Sequence, residues 1–178
     1  MTSPTDPPNH FDEDVAATYD ADVAAMSAPE VLGPTVDLLA ELAGDGAALE
    51  LAVGTGRVAL PLAARGVPVH GIELSAAMVA RLRANDPGRT VQVTVGDMTS
   101  TRVPGTFRVA YLVFNTVANV TTQEGQVACF RNAAAHLEPG GCFVVENGVP
   151  QLQRLPSASG TSRSRSRPST WASTSTTW

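Results

Sequence analysis

Glu50, Gly54 and Gly56 are the residues best placed to do chemistry, because their types and spacing couple an apolar strand to a tight turn. The run Leu49-Glu50-Leu51-Ala52-Val53-Gly54-Thr55-Gly56-Arg57 reads as a strand entering a nucleotide-type cofactor loop. Two glycines let the backbone turn sharply and approach a ligand more closely than a Cβ would allow, and the helix that follows offers free N–H groups. Glu50 is the odd member. A carboxylate in a strand of a parallel sheet is costly to bury and needs a partner, for which a cationic ligand group is one candidate.

The spacing Gly54-x-Gly56-x-x-Ala59 also satisfies the dinucleotide fingerprint, so the glycines alone do not choose between a nicotinamide or flavin cofactor and another adenosine ligand. Glu73, 17 positions after Gly56 at the end of the next predicted strand, is where either fold places an acid on ribose hydroxyls. A third strand, Val91 to Val95, runs into Gly96-Asp97-Met98 and sets a second carboxylate at the carboxyl edge of the sheet. Such edges border the ligand crevice of doubly wound folds. Each residue also has a plain structural reading. The glycine pair is a tight turn, Asp97 a helix N-cap after Gly96, and Glu73 a solvated strand end.

Glu50-x-Ala52-x-Gly54-x-Gly56, Gly71-Ile72-Glu73-Leu74-Ser75, Gly96-Asp97-Met98 and Leu137-Glu138-Pro139-Gly140-Gly141, taken in register, resemble the class I S-adenosyl-L-methionine-dependent methyltransferases over roughly residues 10–155. The resemblance implies that Gly54 and Gly56, with Thr55 between them, approach the methionine moiety. It puts Glu73 on the ribose hydroxyls, with Leu74 beside it, Asp97 opposite the adenine amino group and the Met98 backbone against the ring. Glu50 would orient the loop or reach the methionine amino group through water. Ala52 departs from the family's usual glycine and adds a methyl on the ligand side.

The chemistry this implies needs few side chains, since the cofactor carries its own activated methyl and the protein has to hold an acceptor in line with it. The segment Phe114-Asn115-Thr116-Val117-Ala118-Asn119 offers only amides and a hydroxyl near the reacting centre. Asn115 is the candidate catalytic residue there, its plain alternative being to cap the loop after strand four. Tyr19 is a candidate to close over the cofactor or to pack in the core. The segment lacks the Asn/Asp-Pro-Pro-aromatic signature of methyltransferases acting on nucleobase amines, so a small-molecule acceptor is expected and a nucleic-acid partner is not.

The elements that position these residues alternate. Acidic helical stretches at Phe11 to Met26 and Pro34 to Leu42 precede strand one, Ala47 to Val53, and a helix from Arg57 to Arg65 that Gly66 terminates. Strand two (Val67 to Ile72) leads to a Ser75-capped helix burying Met78, Val79 and Leu82, then strand three and strand four, Phe107 to Phe114. Thr121-x-x-Glu124 is a capping-box pattern opening a helix with Val127, Phe130 and Leu137 on its apolar face, and Pro139-Gly140-Gly141 turns the chain into strand five, Cys142 to Glu146. The result is an α/β, Rossmann-like, doubly wound, mostly parallel sheet with helices on both faces. The family's fold ends with two further strands that this chain does not supply.

A chain of 178 residues with 43% hydrophobic content suffices for one such domain. A run of about 18 apolar residues is absent, as is a basic, apolar start, which predicts a cytoplasmic protein without a membrane partner. His10, His70 and His136 have no metal or triad spacing and read as surface or edge residues, and Cys129 and Cys142 as buried small hydrophobes. No metal is expected.

Residues 1–10 are polar and proline-rich and read as disordered, and 11–155 carry the domain. From Pro156 to Trp178 the chain has 23 residues, with 8 Ser, 5 Thr and 3 Arg and no acid, which cannot form a core. A truncated or frame-shifted ending explains the abrupt change, and an open edge at strand five would then favour self-association. Two other classes compete with a methyltransferase: a non-catalytic cofactor-binding remnant, and a nicotinamide-dependent oxidoreductase. The second is disfavoured by Glu50, Asp97 and the helical segment before the glycine loop.

Overall fold

The computed structural model describes residues 11–149. The readings placed on residues 1–10, His10 included, and on the tail at 156–178 lie outside the described residues. The elements are α1 (Glu13–Asp22), α2 (Pro29–Ala43), β1 (Ala48–Leu51), α3 (Ala59–Ala64), β2 (Val69–Glu73), α4 (Ala76–Asn85), β3 (Val91–Val95), β4 (Phe107–Leu112), α5 (Gln123–His136) and β5 (Leu137–Val145). Short 3-10 turns lie at Ala24–Ser27 and Thr116–Asn119.

The strands pair in parallel in the order β3-β2-β1-β4-β5. Chain order reverses between β1 and β4, and that switch leaves a crevice at their carboxyl ends. All four β1 residues are buried, as a central strand covered on both faces requires. On one face Leu32, Val36 and Leu39 of α2, Ala59 and Leu62 of α3 and Leu82 of α4 pack with Ala48, Val69 and Val109. On the other, Cys129 and Ala133 of α5 pack with Leu49, Leu51 and Leu112. Period-two alternation along β1 divides its side chains between these two cores.

Backbone dihedrals set the strand ends inside the expected limits. β1 stops at Leu51, short of Val53, because Ala52 turns left-handed at φ +57°. β4 stops at Leu112, short of Phe114, because Phe114 and Asn115 take φ values of +63° and +57°. Helix α2 starts at Pro29 rather than Pro34, with Pro29 in the first turn, where a missing N–H costs nothing. Pro34 lies inside it. Ser75 caps α4 as expected, accepting from the Met78 N–H at 3.2 Å, with Met78 and Leu82 buried and Val79 partly so.

Four expectations need correction. The cap of α5 is Thr122, which accepts from the Gly125 N–H at 3.1 Å, so the Thr121–Glu124 box is not formed. The face of α5 turned inward carries Cys129, Asn132, Ala133 and His136, while Val127 and Phe130 are 41% and 47% exposed and Leu137 already belongs to β5. The helix is rotated because Asn132 and His136 find backbone partners beneath it. His70 and His136 are buried rather than surface residues: His70 bonds Thr94 Oγ1 at 2.9 Å, and both rings stack edge-on against Phe107. Finally, Pro139-Gly140-Gly141 lie inside β5, where the register with β4 shifts between Phe107 and Val109.

Ala52 carries a left-handed backbone with a Cβ, a conformation costing roughly 1–2 kcal/mol in a non-glycine residue. Ala52→Gly removes that strain but loosens the unfolded chain by about 0.4–1 kcal/mol. A net gain of about 0.5–1 kcal/mol is expected, read as a higher denaturation midpoint in urea. A lower midpoint would show that the turn carries no strain.

Candidate cofactor site

The loop after β1 is built around one carboxylate. Gly54 and Gly56 take φ values of +57° and +89°, and a Cβ on Gly56 would come within 2.9 Å of Leu60 Cγ, so this turn requires glycine there. Glu73, the last residue of β2, accepts from the Gly54 N–H at 2.9 Å through Oε2 and from the Ser75 N–H at 2.8 Å through Oε1. Burial raises its pKa above the ordinary carboxylate value, and the N–H groups of Ser75, Gly54 and Leu74 pull it back. A solvated strand end is therefore excluded. The α4 cap is tied to the same corner, since the Ser75 hydroxyl donates to the Phe11 carbonyl.

A cavity of about 280 Å³ opens at the carboxyl ends of the strands. Ala52, Glu73, Leu74, Asp97 and Met98 line it, so five of the expected residues meet there. Phe11 adds an aromatic wall, and Thr116, Asn119, Thr121 and Thr122 supply hydroxyls and an amide. A smaller cavity of about 30 Å³, lined by Tyr19, Glu50, Ala52, Gly54, Thr55, Arg57 and Thr116, adjoins it. The two meet at Ala52 and Thr116, which line both.

Glu50 projects from β1 and is 4% exposed, with the Tyr111 hydroxyl of β4 donating to its Oε2 at 3.0 Å. Its partner is thus a neutral side chain two strands' worth of sequence away. Burial drives its pKa up to about 8, against the lowering effects of the Tyr111 hydrogen bond and the Arg57 charge, so at neutral pH it holds its proton. Burial and the Glu50 charge and hydrogen bond also raise the Tyr111 hydroxyl. Arg57 anchors this end: its guanidinium stacks 4.4 Å over the Phe114 ring and donates to the Met26 carbonyl at 3.0 Å. Tyr19 packs edge-on against Phe11, and burial raises its pKa.

Asp97 does not cap a helix. Its Oδ1 accepts from the Thr99 N–H at 2.7 Å, folding the chain after β3 into a turn. Two expected residues stand apart from the cavities. Gly56 lines a groove on the far side of the loop with Leu60 and Pro61, and the Asn115 side chain accepts from the Gly148 N–H at 3.0 Å. Phe114 and Thr116 on either side of Asn115 reach the smaller cavity instead. Phe11 and Tyr111 escape sequence reasoning because only the fold brings them to the loop, whereas Phe114 and Thr116 belong to the segment expected near the reacting centre. Arg57 sits inside the glycine motif, and its charge beside Glu50 is the signal that would have identified it.

Among the described residues no helix is long and apolar enough to cross a membrane, and no cluster of His, Cys, Asp and Glu could hold a metal ion. Comparison with known proteins matches residues 48–141 to a family described as a methyltransferase domain. The cypemycin N-terminal methyltransferase of a Streptomyces species is 30% identical over 167 residues, 90% of this chain and 64% of that protein. The CcbJ methyltransferase of Streptomyces caelestis is 40% identical with a TM-score of 0.60, covering 62% of this chain and 46% of that one. The SAM-bound amino pentose methyltransferase CalS10 of Micromonospora echinaspora is 31% identical with a TM-score of 0.60, over 67% and 50% of the two chains. The chain therefore spans less than two thirds of the length of these relatives. The sheet order, the glycine turn clamped by Glu73 and the family match agree, and the chain belongs to the methyltransferase domain family.

Proposed function

We propose that this chain binds S-adenosyl-L-methionine along the carboxyl edge of the sheet and directs its methyl group to an amine nitrogen of a small-molecule or peptide-derived acceptor. One observation carries the reading: Asp97 and Met98, Glu73 and Leu74, then Ala52 and Gly54 line two adjoining cavities, with Glu50 and Arg57 at the far end. That arrangement suits adenine, ribose and methionine moieties in turn. Asp97 and Met98 face the base, Glu73 keeps lone pairs for ribose hydroxyls, and Gly54, Thr55 and Gly56 shape the loop under the methionine end. The bound cofactor supplies an activated methyl group on a sulfonium. Asn115 then acts through the loop it fixes rather than by touching the reacting atoms.

The amine follows from what lines the cavities. Among the described residues their walls carry no His, Lys or Cys, and the carboxylates of Glu73 and Asp97 accept from backbone N–H groups. An amine suits such walls, since it attacks through a neutral lone pair and loses its proton afterwards. The names of the relatives point the same way, to a peptide N-terminus in one and an amino pentose in the other. The family match and the relatives named above do not favour the oxidoreductase alternative raised by the glycine spacing. Calorimetric titration of the folded chain is expected to give saturable binding of S-adenosylmethionine and S-adenosylhomocysteine and none of NAD. Absence of sulfur-ligand binding would overturn the reading, and binding without methylation of any amine tested would favour the non-catalytic remnant.

Glu50 adds a proton to that equilibrium. A cation brought beside a neutral buried carboxyl favours its ionised form, so cofactor binding releases a proton and tightens as pH rises toward about 8. Titrations in buffers of different ionisation heat read the release, which Glu50→Gln abolishes. The stability sign is opposite. The folded-state pKa lies above the unfolded value of 4.5, so Glu50's contribution is complete below that pH and is lost as pH rises through about 8. The loss approaches ~1.4 kcal/mol per pH unit. Melting curves should show the Glu50→Gln variant gaining on the wild type as pH rises from 5 to 8.

We also propose that β5 pairs with a second copy. Among the described residues its outer edge has no strand partner, and beyond Glu138 and Pro139 near its start the stretch Cys142, Phe143, Val144 and Val145 is apolar. Sedimentation should show a concentration-dependent dimer that Val144→Pro disrupts. A monodisperse monomer at all concentrations would refute the pairing.

A further inference from the structure

Helix α5 presents two polar side chains to the interior, Asn132 at 2% and His136 at 3% exposure, where a helix packed on a sheet ordinarily turns apolar ones. Both are directed at the segment that follows β3. Asn132 Nδ2 donates to the Met98 carbonyl at 2.8 Å and to the Thr101 carbonyl at 3.0 Å. His136 Nε2 accepts from the Val103 N–H at 3.0 Å, which places the ring proton on Nδ1, where it meets the Asn132 carbonyl at 2.8 Å. Residues 96–106 contain no helix or strand, so their buried backbone groups depend on such side chains for partners.

The same segment holds Asp97 and Met98 against the larger cavity. Asn132 is not among the residues lining that cavity. Its Oδ1 is buried with no hydrogen-bond partner. An orphaned buried acceptor works against folding, and an apolar residue of similar size would avoid it. Asn132 therefore carries a cost to stability, and what it returns is the fixed course of the chain at Met98 and Thr101.

We propose that Asn132, supported by His136, is a positioning residue for the adenine end of the cofactor site, acting through the Met98 and Thr101 carbonyls rather than by contact with the ligand. The proposal rests on the cofactor reading above and specifies what shapes one end of that site. Three groups then hold one wall: Asp97 closes the turn from within, Asn132 holds its two carbonyls, and His136 holds its exit at Val103.

The test is the affinity of the full chain for S-adenosylhomocysteine in Asn132→Leu, which keeps the side-chain volume and removes both donors. Ala133→Gly serves as control, because Ala133 is buried on the same helix and has no hydrogen bond to the segment. Affinity is expected to fall at least tenfold in Asn132→Leu and to stay within twofold in Ala133→Gly. A purely structural role would move both variants in proportion to their melting temperatures. Affinity within twofold of wild type in folded Asn132→Leu overturns the proposal. If that variant does not fold, Asn132→Ser, which retains a single donor, is read by the same criterion.

Hydrogen exchange of the ligand-free chain gives a second readout. The Thr99, Thr101 and Val103 amides should exchange faster in Asn132→Leu while those of β1 and β4 do not. If the wild type binds no S-adenosylhomocysteine, the cofactor reading fails, and this exchange pattern still decides whether Asn132 holds the segment. Unchanged exchange there overturns it.

Discussion

The site depends on the carboxylate of Glu73 and the two backbone N–H groups it accepts. Gly54 belongs to the turn after β1 and Ser75 to the start of α4, so one side chain at the end of β2 fixes the positions of both neighbouring connections. These hydrogen bonds, at 2.9 and 2.8 Å, offset part of what burial costs the carboxylate. They also prevent the glycine turn, whose φ values allow many conformations, from sampling them. The phenylalanine at the start of the described chain reaches the cavity because Ser75, held at the same corner, donates to its carbonyl.

Around that clamp the interior is unusually polar, and each polar group performs a task that an apolar one could not. Glu50 and Tyr111 share one hydrogen bond between β1 and β4, the strands that flank the switch point. Keeping Glu50 protonated lets it lie in the sheet without an ion pair, and leaves a carboxyl able to ionise when positive charge arrives. Arg57 is near enough to favour that ionisation and is itself held by the Phe114 ring and the Met26 carbonyl. On the opposite face His70 and His136 enclose Phe107 in edge-on contacts, and Asn132 and His136 reach past the sheet to the segment after β3. Stability and site geometry are therefore carried by different layers: apolar side chains hold the strands, and buried polar ones hold the connections.

Membership in the methyltransferase domain family fixes the general purpose of this edge of the sheet, and the relatives differ in the acceptors their names record. Within this chain the shape of the crevice is set locally. Ala52 places a methyl where its backbone is left-handed, at the meeting point of the two cavities. Its neighbour across the crevice, Thr116, lines both cavities as well. Together they line the junction between the larger cavity and the smaller one, so the shape of the site follows from two residues as much as from its acids.

The sequence by itself determined the alternation of strands and helices, the parallel doubly wound sheet, and the corner residues Gly54, Glu73, Ser75 and Asp97. These were legible because each depends on neighbours a few positions away: a period of two, a glycine at a turn, a serine before a helix. Strand ends at Ala52 and Phe114 were not, since nothing local announces a left-handed alanine or phenylalanine. The tertiary structure decided the rotation of α5, which apolar periodicity alone assigned to Val127 and Phe130 and which Asn132 and His136 turned inward. It also decided Glu50's partner, the burial of His70 and His136, and the placement of Asn115 outside the cavities. Each of these is a pairing between groups distant in sequence, and a buried polar atom is satisfied by whichever group the packed chain brings within hydrogen-bond reach.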